Sequence, residues 1–397
     1  METNDSQITI SEDKPKHKCV SIPTRNMFFL GSTYCLIFIC YYGTKIFATS
    51  LNQGLGYISL GVLYAVFAVS NFFTPIIFAK FGYKPCFIAG GLTYAAWIGC
   101  NIKVNEYAII VVSAVTGVGS SLLTVTQGSF MTKNSTRETI VYLSSIYLTL
   151  FQLSNIFSYM LTGILLYIQF SFDHIFIVFL VVAAVVPFGF MFLNLKYMNT
   201  KVEVMPVSAR IRQTFKKLQD KRILLLIPTF VYVGIADSWI TGIFPPLMNV
   251  NMISFVMLCY GGMNCAWVFT LGRIANRITT RTVLIIAGCS MLIGLVLTWL
   301  VYDTFTNLTW LFYVSASFYG LADGGFKSQI YKVIKVIFPE NNESEIGVCR
   351  FFQYSFVAIT FFVSRYIPIL YMIIIIGVLV ISSIITYIIL ERFVSKE

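Results

Sequence analysis

Residues 196–222 read KYMNTKVEVMPVSARIRQTFKKLQDKR, the only long polar interruption in a chain of 397 residues whose other charged gaps are short. The stretch carries eight basic side chains (Lys196, Lys201, Arg210, Arg212, Lys216, Lys217, Lys221 and Arg222) against two acidic ones, Glu203 and Asp220. On either side lie six apolar segments: 27–48, 57–79, 85–102, 107–131, 139–168 and 174–195 before it, and 223–244, 252–271, 282–302, 308–330, 346–364 and 367–390 after it. A helix needs about 20 apolar residues to cross the hydrocarbon of a bilayer, so each segment qualifies as a crossing. The expected fold is an all-α membrane protein of twelve transmembrane helices in two pseudo-symmetric six-helix halves. Its parts are a tail at 1–25, a half at 26–195, the basic linker at 196–222, a half at 223–391 and a tail at 392–397.

Composition agrees. Hydrophobic residues make up 57% and charged residues 11%, where a soluble domain carries about 25% charge. The net charge of +11 comes from basic residues scattered in short gaps rather than gathered in one patch, which argues for topology signals and against nucleic acid as a partner. Eight of the nine cysteines lie in or beside apolar segments, with no Cys-x-x-Cys pair, so neither a disulfide framework nor a metal site is expected. The first apolar run starts near Asn26, after a tail of both charge signs and without a small-residue cleavage site behind it. That is not the pattern of a removed signal peptide.

Twelve crossings put both termini on one side. Of the 28 Lys and Arg residues, 25 fall in the tails, the even-numbered loops and the adjoining helix ends, leaving Lys45, Lys103 and Arg365 opposite. By the positive-inside rule both tails and the linker face the cytoplasm, in a plasma membrane or an endomembrane. The sequon Asn307-Leu308-Thr309 then lies outside, open to glycosylation, whereas Asn134-Ser135-Thr136 and Asn342-Glu343-Ser344 lie inside and stay unmodified.

The halves also resemble each other. Lys80, Gly82 and Lys84 after the second segment recur at an offset of 197 residues as Arg277, Thr279 and Arg281 after the eighth, where Gly272 and Arg273 belong to the same loop motif. A parallel repeat of six-helix halves is the architecture expected of major facilitator folds, with any cavity at the repeat interface. In the linker, Ser208 is placed to cap a short amphipathic helix with Ile211, Phe215 and Leu218 on one face.

Polar residues inside the segments are candidates for function, because unpaired charge in hydrocarbon is costly. Ser145, Thr149, Gln152, Asn155, Ser158 and Thr162 form one helical stripe along the fifth segment, which serves either the inter-half cavity or interhelical hydrogen bonding. Asp237, counted to the outward half of the seventh, either binds a proton or cation or pairs with a neighbour. Asp323 and Lys327, one turn apart in the tenth, are placed near Arg350 as a cytoplasmic-side ionic latch. Lys45 is expected to snorkel to the headgroups. No Walker loop, metal-ligand cluster or nucleophile elbow is present, so no enzyme activity and no cofactor are expected.

These residues carry a resemblance. Gly56-Tyr57-Ile58-Ser59-Leu60 with Leu63, Tyr64 and Pro75, Gly91-Leu92-Thr93-Tyr94, and Gly117-Val118-Gly119 through Thr126-Gln127-Gly128-Ser129-Phe130 resemble the UNC-93-like family of the major facilitator superfamily. Gly234 with Ile240-Thr241-Gly242, and Asp323 with Gln329-Ile330-Tyr331, extend the likeness over nearly the whole chain. Ordinary facilitators carry a gate carboxylate just before the first basic residue of the loop after the second helix. Here the equivalent positions are Ala79 and Asn276. The resemblance implies a non-catalytic regulatory or auxiliary subunit acting on a potassium channel or on receptor trafficking. The competing class is a secondary transporter of a small solute or ion, proton-coupled in one version, with Gln127, Gln152, Asn155 and Asp237 along its path.

Overall fold

A computed structural model describes residues 21–136, 139–195, 206–274, 277–304, 307–338 and 343–394. Thirteen α-helices account for most of them: α1 (Ile22–Leu51), α2 (Gln53–Phe81), α3 (Tyr83–Ile102), α4 (Glu106–Lys133), α5 (Ile140–Tyr167), α6 (Phe172–Val185), α7 (Val207–Lys216), α8 (Lys221–Ser238), α9 (Val250–Ile274), α10 (Thr280–Trp299), α11 (Leu311–Ile337), α12 (Glu343–Ser364) and α13 (Ile369–Val394). Each of the twelve apolar segments contains a helix, and α7 adds a thirteenth within the linker. Ten are long and apolar enough to cross a membrane. Neither α3 nor α11 is among the ten; α11 spends part of its length on Asp323, Lys327 and four serines or glycines between Gly320 and Ser328.

Four of the helices run on past their α-helical ends: α6 continues as a 3-10 helix over Val186–Phe192, with which it is long enough to span, and α7 over Lys217–Gln219. A π-helical turn, Trp239–Ile243, extends α8, and a second, Leu300–Thr304, extends α10. Short polar side chains start several others. Asn105 accepts from the Ala108 amide at the head of α4, Asp220 from Arg222 at α8, and Thr279 from Thr282 at α10. Between α2 and α3 the chain turns at Gly82, whose φ of +78° suits a residue without Cβ. Gly82 and Thr279, paired by the offset in sequence, thus stand at matching joints: each begins the third helix of its set of six.

Helices α1–α6 pack on one another, chiefly α2 on α4, α1 on α5 and α3 on α4 and α6, and α8–α13 do the same through α9, α10 and α11 and through α8 with α12 and α13. Close approach depends on absent side chains. A Cβ on Gly117 would lie 2.5 Å from the Leu63 carbonyl oxygen, so α2 and α4 meet at backbone distance. The two groups meet each other along α2·α12 and α5·α9. In the first of these, Tyr354 stacks on Phe67 with ring centres 4.1 Å apart.

At one end of the molecule the first turn of α1, the last turn of α4 and the chain after α6 are tied by Asn26, which donates to Asn134 (3.0 Å) and to the Asn194 carbonyl (2.8 Å). On the α2·α12 pair, α7 brings Phe215 against Phe72 and Phe351, and just beyond it Lys217 reaches the buried Glu345 of α12 at 2.7 Å. The linker helix is therefore docked on protein along part of its apolar face. It begins at Val207 after Pro206, which leaves Ser208 in its first turn and not at the cap. Pro206 fixes the backbone at the entry and takes the place that the capping side chain was expected to fill.

Candidate functional site: a charge cluster between the two helix groups

Four ionisable side chains from both groups converge between them; Lys45 and Asp323 are buried, whereas Asp237 is 18% and Lys327 36% exposed. Lys45, near the far end of α1 and only 2% exposed, donates to the Tyr64 hydroxyl (2.9 Å) and lies 3.8 Å from Asp237. Asp237, on the last turn of α8, accepts from Lys327 of α11 at 2.8 Å. Lys327 also pairs with Asp323, one turn earlier, at 2.9 Å. The other Asp323 oxygen accepts from Tyr260 and Asn264 of α9, both at 2.8 Å. Asn264 in turn receives Gln152 of α5 at 3.5 Å, which carries the network back to the first group. Two cations face two anions, so the cluster is electrically neutral, and each charge lies within reach of an opposite one. That pairing is what makes the buried charges of Lys45 and Asp323 tolerable, while Lys327 keeps part of its side chain exposed.

Three expectations change here. Lys45 does not snorkel. Helical side chains lean toward the N-terminus of their own helix, so a lysine six residues before the end of α1 is aimed back into the bundle and away from the nearer surface. The same lean brings Asp237 and Lys327 together, although counting along the helices puts them at different depths. Helices α8 and α11 run in opposite directions, and each residue lies in the C-terminal part of its helix, so their side chains converge. In the proposed latch, Asp323 and Lys327 do pair, but Arg350 forms no ion pair among the described residues. Helix α12 packs mainly on α2 and α8, and Arg350 meets α11 at Tyr331, one turn beyond Lys327.

Of the other candidates, Gln152 joins the cluster, whereas Asn155 and Gln127 are half-buried outside it. The polar stripe of α5 divides its work. Ser158 donates to the Ile39 carbonyl of α1 inside the first group (2.7 Å), Thr162 bonds back to its own helix, and Thr149 is exposed. In the loop motif, Lys80 lies over the Phe81 ring, Lys84 donates to the Met191 carbonyl (2.6 Å) and Arg273 lies over Phe269 at 4.2 Å. Arg277 and Arg281 are exposed, a Cβ on Gly272 would meet nothing, and Asn276 lies outside the described residues. Asn307 is exposed on the turn before α11, Asn134 is buried, and Asn342 lies outside the described residues. Tyr64, Tyr260 and Asn264 carried no signal in the sequence as site residues. Only their lean toward a charged residue on another helix marks them.

Two packed groups of helices with polar side chains meeting between them define a membrane protein of the major facilitator class. The fold is similar to that of a mutant of the nucleoside transporter NupG, at a TM-score of 0.69 and 13% identity, over 93% of this chain and 99% of that one. The chain belongs to the UNC-93 family, whose model, "Ion channel regulatory protein UNC-93", matches residues 48–389. Among its relatives, UNC93-like protein 3 of Arabidopsis thaliana is 22% identical over 93% of this chain and 86% of its own length. Protein unc-93 homolog A of Danio rerio is 22% identical over 87% of this chain and 86% of its own.

Proposed function

We propose that this protein is a non-catalytic regulatory subunit, built as two six-helix halves joined at 196–222, that binds another membrane protein such as a potassium channel or a receptor in transit. Both termini face the cytoplasm and Asn307 faces outside in this reading. The observation that carries it is the self-neutralised cluster. Where a facilitator would hold a charged solute, Lys45 and Lys327 are already committed to Asp237, with Asp323 held by Lys327, Tyr260 and Asn264. The family description points the same way.

A second reading, secondary transport of a small solute or ion, draws on one specific feature. The contact of Lys45 with Asp237 joins the two halves and would have to open in an alternating cycle. Tagged protein drawn from its own membranes in mild detergent, compared with an unrelated twelve-span protein, tests the first reading. Near-stoichiometric recovery of one channel or receptor is expected, and it should persist with Gln152→Leu. Solute uptake by proteoliposomes that is lost in Asp237→Asn, with no partner recovered, would replace the regulatory reading with transport.

A further inference from the structure

We infer that the linker helix α7 is a clasp: lying across the seam between α2 and α12, it holds the two helix groups together there, so that they part along α5·α9, and along α2·α12 only when α7 lets go. The inference rests on no part of the regulatory reading. The α2·α12 seam is a ladder of rings drawn alternately from the two groups. Tyr57 stacks on Phe361 (6.4 Å between centres), Phe361 on Tyr64 (6.0 Å), Tyr64 on Tyr354 (6.1 Å) and Tyr354 on Phe67 (4.1 Å), each pair within 26° of parallel. Stacked pairs of this kind add to what burial of the rings contributes by itself.

Toward the end where α2 finishes and α12 begins, the next ring belongs to neither group. Phe215 of α7 lies over Phe72 of α2 (6.2 Å) and edge-on to Phe351 of α12 (5.5 Å), and those two meet each other at 5.7 Å. Helix α7 packs on both α2 and α12, and its buried Thr214 sits so close to α12 that a Cβ on Gly347 would lie 3.6 Å from the threonine hydroxyl. Its ionic hold is on the second group. Just past α7, Lys217 pairs with Glu345 at 2.7 Å, and the Glu345 side chain is 1% exposed. Lys217 and Arg222 also lie over the ring of Phe338, at the end of α11, at 5.9 and 4.8 Å.

The clasp thus has an anchor and a grip. Lys217 is the anchor: a carboxylate buried as deeply as that of Glu345 is costly without its counter-charge, so this end of the linker stays with α12. Phe215 is the grip: any widening between Phe72 and Phe351 strips apolar contact from its ring. The α5·α9 seam is held less firmly. Its hydrogen bond from Gln152 to Asn264 is 3.5 Å long, against about 2.9 Å for an ordinary N–H···O bond, and no ring stack crosses it among the described residues. Motion between the groups is therefore directed to α5·α9.

The test is amide hydrogen exchange of the purified full-length chain in detergent, resolved by peptide with mass spectrometry, because an amide exchanges when its segment opens to water. Three regions are compared: 68–81 with 345–356 at the clasped end of the α2·α12 seam, 54–64 with 357–364 at its other end, and 150–163 with 253–266 at α5·α9. In the wild type the α5·α9 region should exchange faster than the clasped end. Phe215→Ala, which removes the grip and keeps the anchor, and Lys217→Met, which removes the anchor, should each speed exchange at the clasped end by about tenfold and leave the other two regions unchanged. Lys217→Met combined with Glu345→Gln should exchange no faster than Lys217→Met alone, because the pair is already broken; a further rise would overturn Lys217–Glu345 as the anchor. Phe215→Ala keeps the test decisive if Lys217→Met does not fold. An unchanged clasped end in Phe215→Ala, or an increase spread evenly over all three regions, would overturn the clasp. Equal protection of the two seams in the wild type would overturn α5·α9 as the side that parts. Partner recovery is measured on the wild type, so the two readings fail separately.

Discussion

At the scale of single residues, the chain's charges were readable, but of their partners only the Asp323–Lys327 pair was. Asp237, Asp323 and Lys327 stand out in sequence because they interrupt apolar segments. Tyr260 and Asn264 do not, since tyrosine and asparagine in such a segment have many uses. Depth failed for a geometric reason: counting rises from the helix end locates a Cα, while a lysine side chain reaches several ångströms toward its own N-terminus. Asp237 is the pivot of the cluster because it faces both lysines. Asp237→Asn leaves Lys45 buried without a counter-charge and should destabilise the protein by about 3–5 kcal/mol. Adding Lys45→Met should restore part of that loss, because the uncompensated charge goes with it. Thermal unfolding of the two single variants and the double variant measures the coupling, and strictly additive losses would show that the pair does not interact.

Among elements, the helices follow from hydrophobic runs, and the caps and turns from short polar residues and Gly82. Helix α11 was legible as an element only because its polar residues are small or paired; by apolarity alone it does not qualify as a crossing. The docking of α7 had no such signal. An amphipathic basic helix reads the same whether it lies on lipid or on protein, and only the Phe72, Phe215 and Phe351 contacts distinguish the two. Where the linker re-enters α8, partial burial pushes the Asp220 carboxyl up, but hydrogen bonds from Arg222 and the charges of Arg222 and Lys217 outweigh it and hold the carboxyl below its ordinary value of 3.8. A carboxylate held low in the folded state contributes stability that is complete above the unfolded value and is lost as pH falls through the folded one. Asp220→Asn should therefore lower stability at neutral pH and flatten the acid limb below about pH 4, read from melting temperature against pH.

Across the whole molecule, the half-chain offset and the linker led to the expectation of two six-helix halves; α1–α6 and α8–α13 each pack internally, while α12 packs on α2 as well as on α8. Their mode of contact, α2 on α12 and α5 on α9, was not legible, because it depends on which faces of long apolar helices are left after each group has packed internally. The ionic contact between the groups also has an electrical meaning. Lys45 belongs to one group and Asp237 to the other, each on a helix long and apolar enough to cross a membrane. Rocking of one group against the other would separate them along the field, at about 2.3 kcal/mol per elementary charge per 100 mV. Cells expressing the protein should therefore show a small capacitive current on a voltage step, absent in Lys45→Met. If that current is seen, the membrane potential is an input to the conformation of this protein, delivered through one lysine on α1.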